Sequence, residues 1–290
     1  MKPIVNTYFS GAGLMDEGLK QAGLDVQISY ELDEDCVKIA RKNGHNSQCA
    51  DITKKLVANE PKCHARFFTY PCQKYSTIGD IHGVRTGDEL YLHALRHQAV
   101  DPTEIFGAEN VPGMRKFPVV MEALTKLHGY FVTVFCPVRS QTWLPQKRDR
   151  LIILGSRKPF AWRLPEYHRP LTLAEILEDE PQMEIPDYFY KRLNGEYRDL
   201  PIVCDPARGD IAPTCVAHYA KDVSTRVVKD ARFPKGVRPF TVREYARLQG
   251  LRDDFSFDGV TERQAFRMIG NGVSIPVGKW IGEEITRYLN

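Results

Sequence analysis

No run of this chain stays apolar for the roughly 20 residues that a membrane-crossing helix needs. Its first residues, MKPIVNTYFSGAG, also lack the basic, apolar and small-residue succession of a secretory signal. Both absences predict a cytoplasmic protein with no membrane partner. The seven cysteines, at 36, 49, 63, 72, 136, 204 and 215, are odd in number and include no C-x-x-C pair, which argues against a disulfide framework, a redox motif or a thiolate metal site. Most are expected to be reduced and buried. Internal repeats and low-complexity tracts are absent as well. A dinucleotide-binding G-x-G-x-x-G is incomplete, because Gly11 and Gly13 are followed by Asp16 where the third glycine would stand. That counts against an NAD enzyme.

What is present fits an ordinary globular chain: 290 residues, 42% hydrophobic, enough for one large domain or a domain with a smaller appendage. A formal net charge of +3 is compatible with a polyanionic partner without demanding one. Basic residues concentrate between Lys221 and Arg247, including Lys229, Arg232, Lys235 and Arg238, opposed by Asp222, Asp230 and Glu244. By itself such a run reads as a solvated face.

Up to about residue 155, short β-rich runs alternate with helical patterns. IVNTYF, VQISYEL, ARFFTY, EIFGAEN, YFVTVFCP and RLIILG read as strands, and LMDEGLKQAG, EDCVKIARKN, ELYLHALRHQ and VVMEALTKLHG as helices. This alternation predicts a doubly wound α/β sheet with ligands outside the carboxyl ends of its strands. From about Ser156 to Arg238 the pattern gives way to proline-rich irregular sequence, with one capping box at Thr172–Glu175. Two more capping boxes, TVRE at Thr241 and TERQ at Thr261, precede a last helix with Pro276 in its first turn. The stripe Val277, Ile281, Ile285 and Leu289 would pack that helix back on the sheet.

Three strand ends carry candidate ligand groups. FSGAGL, with Phe9, Ser10, Gly11, Gly13 and Leu14, follows the first strand and opens a helix, where glycines permit close backbone approach. Glu31 ends the second strand, twenty positions after Gly11, where an acid reaches a ribose hydroxyl, though taken alone it reads equally well as a helix N-terminal carboxylate. Asp51 ends the next β-like segment. Together they suit an adenosine-containing ligand. Cys72, in TYPCQKYS, stands at the mouth of a strand, where a nucleophilic thiol is reachable. Unaided, a buried inert cysteine is the commoner case. Glu109 and Asn110 at the end of EIFGAEN change that balance, since a thiol and a carboxyl group on one cleft suit attack on an electrophilic ring with acid assistance. Arg148 and Arg150 in PQKRDR alternate along a strand start and are expected to share one face, suited to oxygens or phosphates, although a surface strand with solvated charges is the commoner case.

In this order the motifs resemble those of the DNA (cytosine-5) methyltransferases, over nearly all of the chain. FSGAG resembles the cofactor loop, YELD (Glu31, Leu32) and ADI (Asp51, Ile52) the ribose and adenine contacts, and PCQKYS the nucleophile loop, with Pro71, Cys72, Gln73 and Ser76. AENV and PQKRDRL resemble the catalytic glutamate and arginine motifs. RPFTVREYARLQG resembles the helix bordering the recognition lobe, and GNGVSIPV, with Asn271, Gly272 and Val273, the motif that completes the cofactor pocket. Two positions depart from the pattern: Thr69 stands where glycine is usual, so the loop backbone is expected to differ, and Leu32 replaces the aromatic that stacks on adenine.

The resemblance implies a Rossmann-like S-adenosylmethionine-dependent methyltransferase sheet with a smaller irregular target-recognition lobe. The expected divisions are 1–158 for catalysis and cofactor, 159–238 for recognition, and 239–290 for helices returning to the catalytic domain. It implies methyl transfer to carbon 5 of a flipped-out cytosine in a specific double-stranded DNA sequence. S-adenosylhomocysteine is the second product. Cys72 would add to carbon 6 and Glu109 assist at ring nitrogen 3. Arg150 would face the cytosine oxygen and a phosphate with Arg148 in support, Asn110 would sit near the nucleophile loop, and Lys229, Arg232, Lys235 and Arg238 would contact DNA. A monomer on the nucleoid of a bacterium, archaeon or phage host is expected, with a cognate restriction endonuclease as a partner where it serves such a pair. A transfer-RNA enzyme of the same family is the rival, without its cysteine, phenylalanine, threonine signature here. An inactive DNA-binding relative is the other, opposed by intact Cys72, Glu109 and Arg150.

Overall fold

The computed structural model describes residues 2–71, 90–166, 169–195 and 201–290. The chain forms two compact units. The first comprises Met1–Arg139, Asp149–Glu166 and Ile275–Asn290, and the second Ser140–Arg148 and Tyr167–Ser274.

The first unit is built on strands β1 (Ile4–Tyr8), β2 (Asp25–Glu31), β3 (Ser47–Cys49), β4 (Ala65–Phe68), β5 (Ile105–Asn110), β6 (Phe131–Arg139) and β7 (Asp149–Ser156), in the order β3-β2-β1-β4-β5-β7-β6. The first five run parallel, while β7 is antiparallel to both β5 and β6. The expected α/β sheet is therefore present, as a mixed one. Strands β4 and β5 are buried at every residue, as strands covered on both faces must be.

Helices α1 (Leu14–Gln21), α2 (Glu34–Lys42), α3 (Leu90–Val100), α4 (Pro118–Thr125) and the last described helix, Ile275–Leu289, belong to this unit. Successive side chains of β1 serve opposite faces. The Thr7 hydroxyl donates to Asp16 of α1 (2.7 Å), whereas Tyr8 joins a core with Phe68, Phe106, Tyr91 of α3 and Leu124 of α4. Beside that core lies a buried polar network. The Tyr8 hydroxyl donates to Glu60 (2.6 Å), Arg66 Nε donates to the Tyr8 hydroxyl (3.0 Å), and His97 Nδ1 is 2.8 Å from Glu60 Oε1. Glycine makes two close approaches possible: a Cβ on Gly107 would stand 2.2 Å from the Phe67 ring, and one on Gly155 2.1 Å from the Phe106 ring.

The second unit carries a three-stranded sheet in the order β10-β9-β8, with β8 at Ile202–Cys204, β9 at Arg226–Lys229 and β10 at Val237–Pro239. Around it lie helices α5 (Leu173–Ile176), α6 (Asp187–Asn194), α7 (Val242–Leu248) and α8 (Glu262–Asn271), so the last helix of the first unit is α9. All three capping boxes read from the sequence form, at Thr172, Thr241 and Thr261.

The unit boundaries differ from the divisions expected at 158 and 238. Residues up to 166 stay with the first unit because Trp280 Nε1 of α9 donates to the Arg163 carbonyl (3.1 Å) and the Arg163 N–H to Glu284 (2.7 Å). Helices α7 and α8 stay with the second unit, where the Tyr245 ring stacks on Tyr219 and both meet Phe266 edge-on. Only α9 returns to the sheet, with Val277, Ile281 and Ile285 buried as their spacing predicts. Among the six described cysteines none is in a disulfide; Cys36, Cys204 and Cys215 are buried, Cys63 and Cys136 half-buried, and Cys49 exposed. No described helix is long and apolar enough to cross a membrane.

This packing is open to test in both units. A Cβ on Gly18 of α1 would come within 2.5 Å of the Ile275 carbonyl oxygen and 2.8 Å of Gly278 Cα in α9. Gly18→Ala should destabilise the first unit by about 1–3 kcal/mol, read as a lower thermal unfolding midpoint. In the second unit, hydrogen bonds from Arg232 and then Arg238 hold the Asp230 carboxyl well below the usual carboxylate range. A depressed folded pKa contributes stability that is complete above the unfolded value of about 3.9 and is lost as pH falls through the folded one. Asp230→Asn should therefore flatten the stability curve of the second unit below about pH 4, measured by denaturant unfolding across pH.

Candidate active site

The loop after β1 turns sharply into α1. Phe9 sits at φ 59, a left-handed conformation unusual for a bulky residue, and Gly11 and Gly13 follow at φ 57 and 89. The Ser10 N–H donates to the Tyr30 carbonyl (3.1 Å) and the Gly13 N–H to the Ser10 carbonyl (3.1 Å), which holds the loop against the end of β2. Beyond Gly11 there is open space: a Cβ there would meet nothing within 4 Å. At Gly13, by contrast, a Cβ would stand 2.9 Å from the His45 ring. Ser10 and Leu14 are buried and Phe9 is half-buried. Beneath the loop, burial pushes the Asp16 carboxyl up and the His45 imidazole down.

Glu31 turns back onto this loop. Its Oε2 accepts the Gly11 N–H (2.8 Å), and Oε1 accepts the N–H groups of Leu32 (2.7 Å) and Asp33 (2.9 Å). A carboxylate has about four acceptor positions, so Oε2 keeps room for a further donor such as a ribose hydroxyl. Leu32 is exposed and Ile52 buried. Asp51 accepts both the Thr53 hydroxyl (2.6 Å) and the Thr53 N–H (3.0 Å), which hold its carboxyl below the usual range. Arg96 of α3 donates to the Ile52 carbonyl (2.6 Å) and so fixes the segment after Asp51. An open glycine turn beside an acid with a spare acceptor position fits an adenosine cofactor.

The next strand ends bring an acid and a guanidinium together. Arg150 Nε lies 2.7 Å from Glu109 Oε1, both groups nearly buried. Asn110 is buried and donates through Nδ2 to the Tyr70 carbonyl (3.2 Å). Asn110 thereby grips the chain two residues before Cys72. Pro71 is exposed at the end of this stretch. Cys72, Gln73 and Ser76 lie outside the described residues.

Strand β7 begins at Asp149, and Arg148 is buried in the second unit, donating to the carbonyls of Cys215 (3.0 Å), Gly270 (3.1 Å) and Gly272 (2.6 Å). Its guanidinium braces the backbone around the end of α8. Asn271 is exposed, Gly272 half-buried and Val273 buried in that same stretch.

The basic cluster also resolves residue by residue. Arg238 is fully buried, with Nε on Asp230 (2.8 Å) and Nη2 and Nη1 on Glu244 (2.7 and 2.8 Å), so it corrects to an interior ion pair and offers no surface for DNA. Arg232 pairs with Asp230 (2.7 Å) and Lys229 with Asp205 (2.6 Å), each with its cation still partly exposed. Lys235 is exposed in the turn between β9 and β10, at φ 61. The sequence shows a cluster of charge, but only the fold reveals that acids two to twenty-four residues away take much of it up.

The C-5 cytosine-specific DNA methylase family matches residues 7–201 and 207–287. Among curated relatives, the Type II methyltransferase M.NlaX of Neisseria lactamica is 29% identical over 303 residues, covering 97% of this chain and 96% of that protein. M.Sau96I of Staphylococcus aureus is 26% identical over 332 residues, covering 97% and 75%. Among solved structures, the S. pombe Dnmt2 methyltransferase aligns over the whole of both chains with a TM-score of 0.83 at 19% identity. The Entamoeba histolytica methyltransferase EhMeth has a TM-score of 0.82 at 19% identity, over 100% of this chain and 99% of that one. At that identity the structures speak for the fold, whereas the family match runs through both the glycine loop and the Glu109 strand end, and on it the chain belongs to the C-5 cytosine-specific DNA methylases.

Proposed function

We propose that this enzyme methylates carbon 5 of a flipped-out cytosine within a specific double-stranded DNA sequence, through a covalent adduct at Cys72. The observation that carries the proposal is the Glu109–Arg150 pair beside Asn110, whose side chain holds the backbone just ahead of Cys72. Carbon 5 of cytosine is a weak nucleophile. Addition of the Cys72 thiolate to carbon 6 makes it an enamine carbon, and Glu109, by giving a proton to ring nitrogen 3, stabilises the charge that develops there. Arg150 orients the Glu109 carboxyl group and offers its remaining donors to the cytosine oxygen or a neighbouring phosphate. Bound S-adenosylmethionine supplies an electrophilic methyl group. The turn at Phe9, Ser10, Gly11, Gly13 and Leu14 would hold it, with Glu31 on the ribose and Asp51 and Ile52 toward the adenine. Loss of the carbon 5 proton to water then expels Cys72. Carbons 5 and 6 are hidden in a duplex stack, so the base must leave it, at a cost of a few kcal/mol.

Bisulfite sequencing of plasmid DNA from a host expressing the chain should reveal methylated cytosines in one sequence context. Cys72→Ser should abolish that signal while calorimetry still detects S-adenosylmethionine binding. Near-normal methylation by that variant would sink the mechanism.

The exposed cations also separate from the buried one. Replacing Lys229 and Lys235 together by alanine should weaken binding to all DNA and reduce the log–log salt slope by about 0.9 for each phosphate that is no longer neutralised. Arg238→Ala should instead leave Asp230 and Glu244 buried without their partner and destabilise the second unit by about 3–5 kcal/mol, measured by unfolding rather than by DNA binding.

A further inference from the structure

Thr69 departs from the glycine usual in chains that this one resembles, and a glycine there would suggest that the backbone needs a left-handed turn. Among the described residues the left-handed non-glycine positions are Phe9 and Lys235, not Thr69. Phe9 is the first residue of the glycine loop. Thr69 reaches that residue. Its N–H donates to the Tyr8 carbonyl (3.1 Å), continuing the β1–β4 ladder, and its hydroxyl donates to the Phe9 carbonyl (2.9 Å), with the Tyr8 carbonyl at 3.3 Å. The next residue is held as well: the Tyr70 ring meets Phe9 edge-on at 6.4 Å, and its carbonyl accepts from Asn110.

We propose that Thr69 is a positioning residue, whose hydroxyl locks the left-handed Phe9 and so sets the cofactor loop against the end of β4. The inference rests on the cofactor reading given above. Left-handed backbone at a bulky residue persists only where its surroundings over-determine it. The Thr69 hydroxyl contacts the Phe9 carbonyl directly. Valine has the same shape without the donor, and serine keeps the donor without the methyl group. The three residues therefore separate hydrogen bonding from packing.

The test compares Thr69→Val, Thr69→Ala and Thr69→Ser in the full-length enzyme by titration with S-adenosylmethionine, by steady-state kinetics with separate KM values for cofactor and DNA, and by thermal unfolding. Loss of one such hydrogen bond should weaken cofactor binding about 3- to 10-fold in the valine and alanine variants. The cofactor KM should rise in parallel, with the DNA KM within about twofold of wild type and the serine variant restored to within the same margin. Cofactor affinity unchanged in both variants, an equal rise in both KM values, or a serine variant as weak as the valine one would each overturn the proposal. So would unfolding of both the valine and alanine variants, since the hydroxyl would then serve stability. A wild-type enzyme that bound no S-adenosylmethionine would overturn the cofactor reading itself, and this inference with it, which distinguishes the two failures.

Discussion

Arg150 can meet Glu109 because β7 runs against its neighbours. The five parallel strands all deliver their carboxyl ends to one edge of the sheet, and that edge holds the glycine loop, Glu31, Tyr70 and Glu109. A parallel β7 would bring its last residues there, around Ser156. Because it is antiparallel, with Asn110 opposite Leu151, it brings its first residues instead, and Arg150 lies within 2.7 Å of the glutamate. One reversed strand thus puts a strand-start side chain among strand-end side chains. The resulting ion pair is almost closed off from solvent, where its geometry is held by the ladder on both sides.

That edge needs a rigid base, since strand ends can serve a ligand only if the strands do not slide. In β1 and β4 the restraint is polar and interior. Tyr8, Arg66, Glu60 and His97 are all buried and tied to one another across the two strands, a preceding turn and α3. Burying charge is costly unless every member is paired, and a network so placed resists any shift that would break one link. Arg66 extends it to Asp101 (2.6 Å), at the end of α3. Burial at the same place pushes the Cys63 thiol up to about 11, which keeps that cysteine a neutral packing group.

Much of this was legible in the sequence, for reasons that differ by element. The six strand runs and the three capping boxes are local signals, a few residues long, and each appears where its residues place it. The glycine turn, Glu31 and Asp51 were legible because a parallel sheet dictates where strand ends must go. The direction of β7 was not, since RLIILG has the same composition whichever way it runs. Arg238 misled for a related reason: a guanidinium locked between two acids looks, in one dimension, like one offered to phosphate. The acids Asp230 and Glu244 were visible in the run, but only the turn between β9 and β10 and the start of α7 carry them to opposite sides of Arg238. Thr69 was noticeable as a departure, while its partner, the Phe9 carbonyl in the loop after β1, has no sequence signature.

The α1–α9 contact has a consequence for synthesis on the ribosome. Gly18 and Gly278 touch although they stand near opposite ends of the 290-residue chain, so the face of α1 that α9 covers emerges long before its partner exists. At about 5–20 residues per second, that face waits on the order of ten seconds or more. The second unit, all of which is encoded between these two helices, is synthesised before α9. The glycine loop opens directly into α1, so the helix that anchors one end of that loop gains its packing partner only once α9 has been translated.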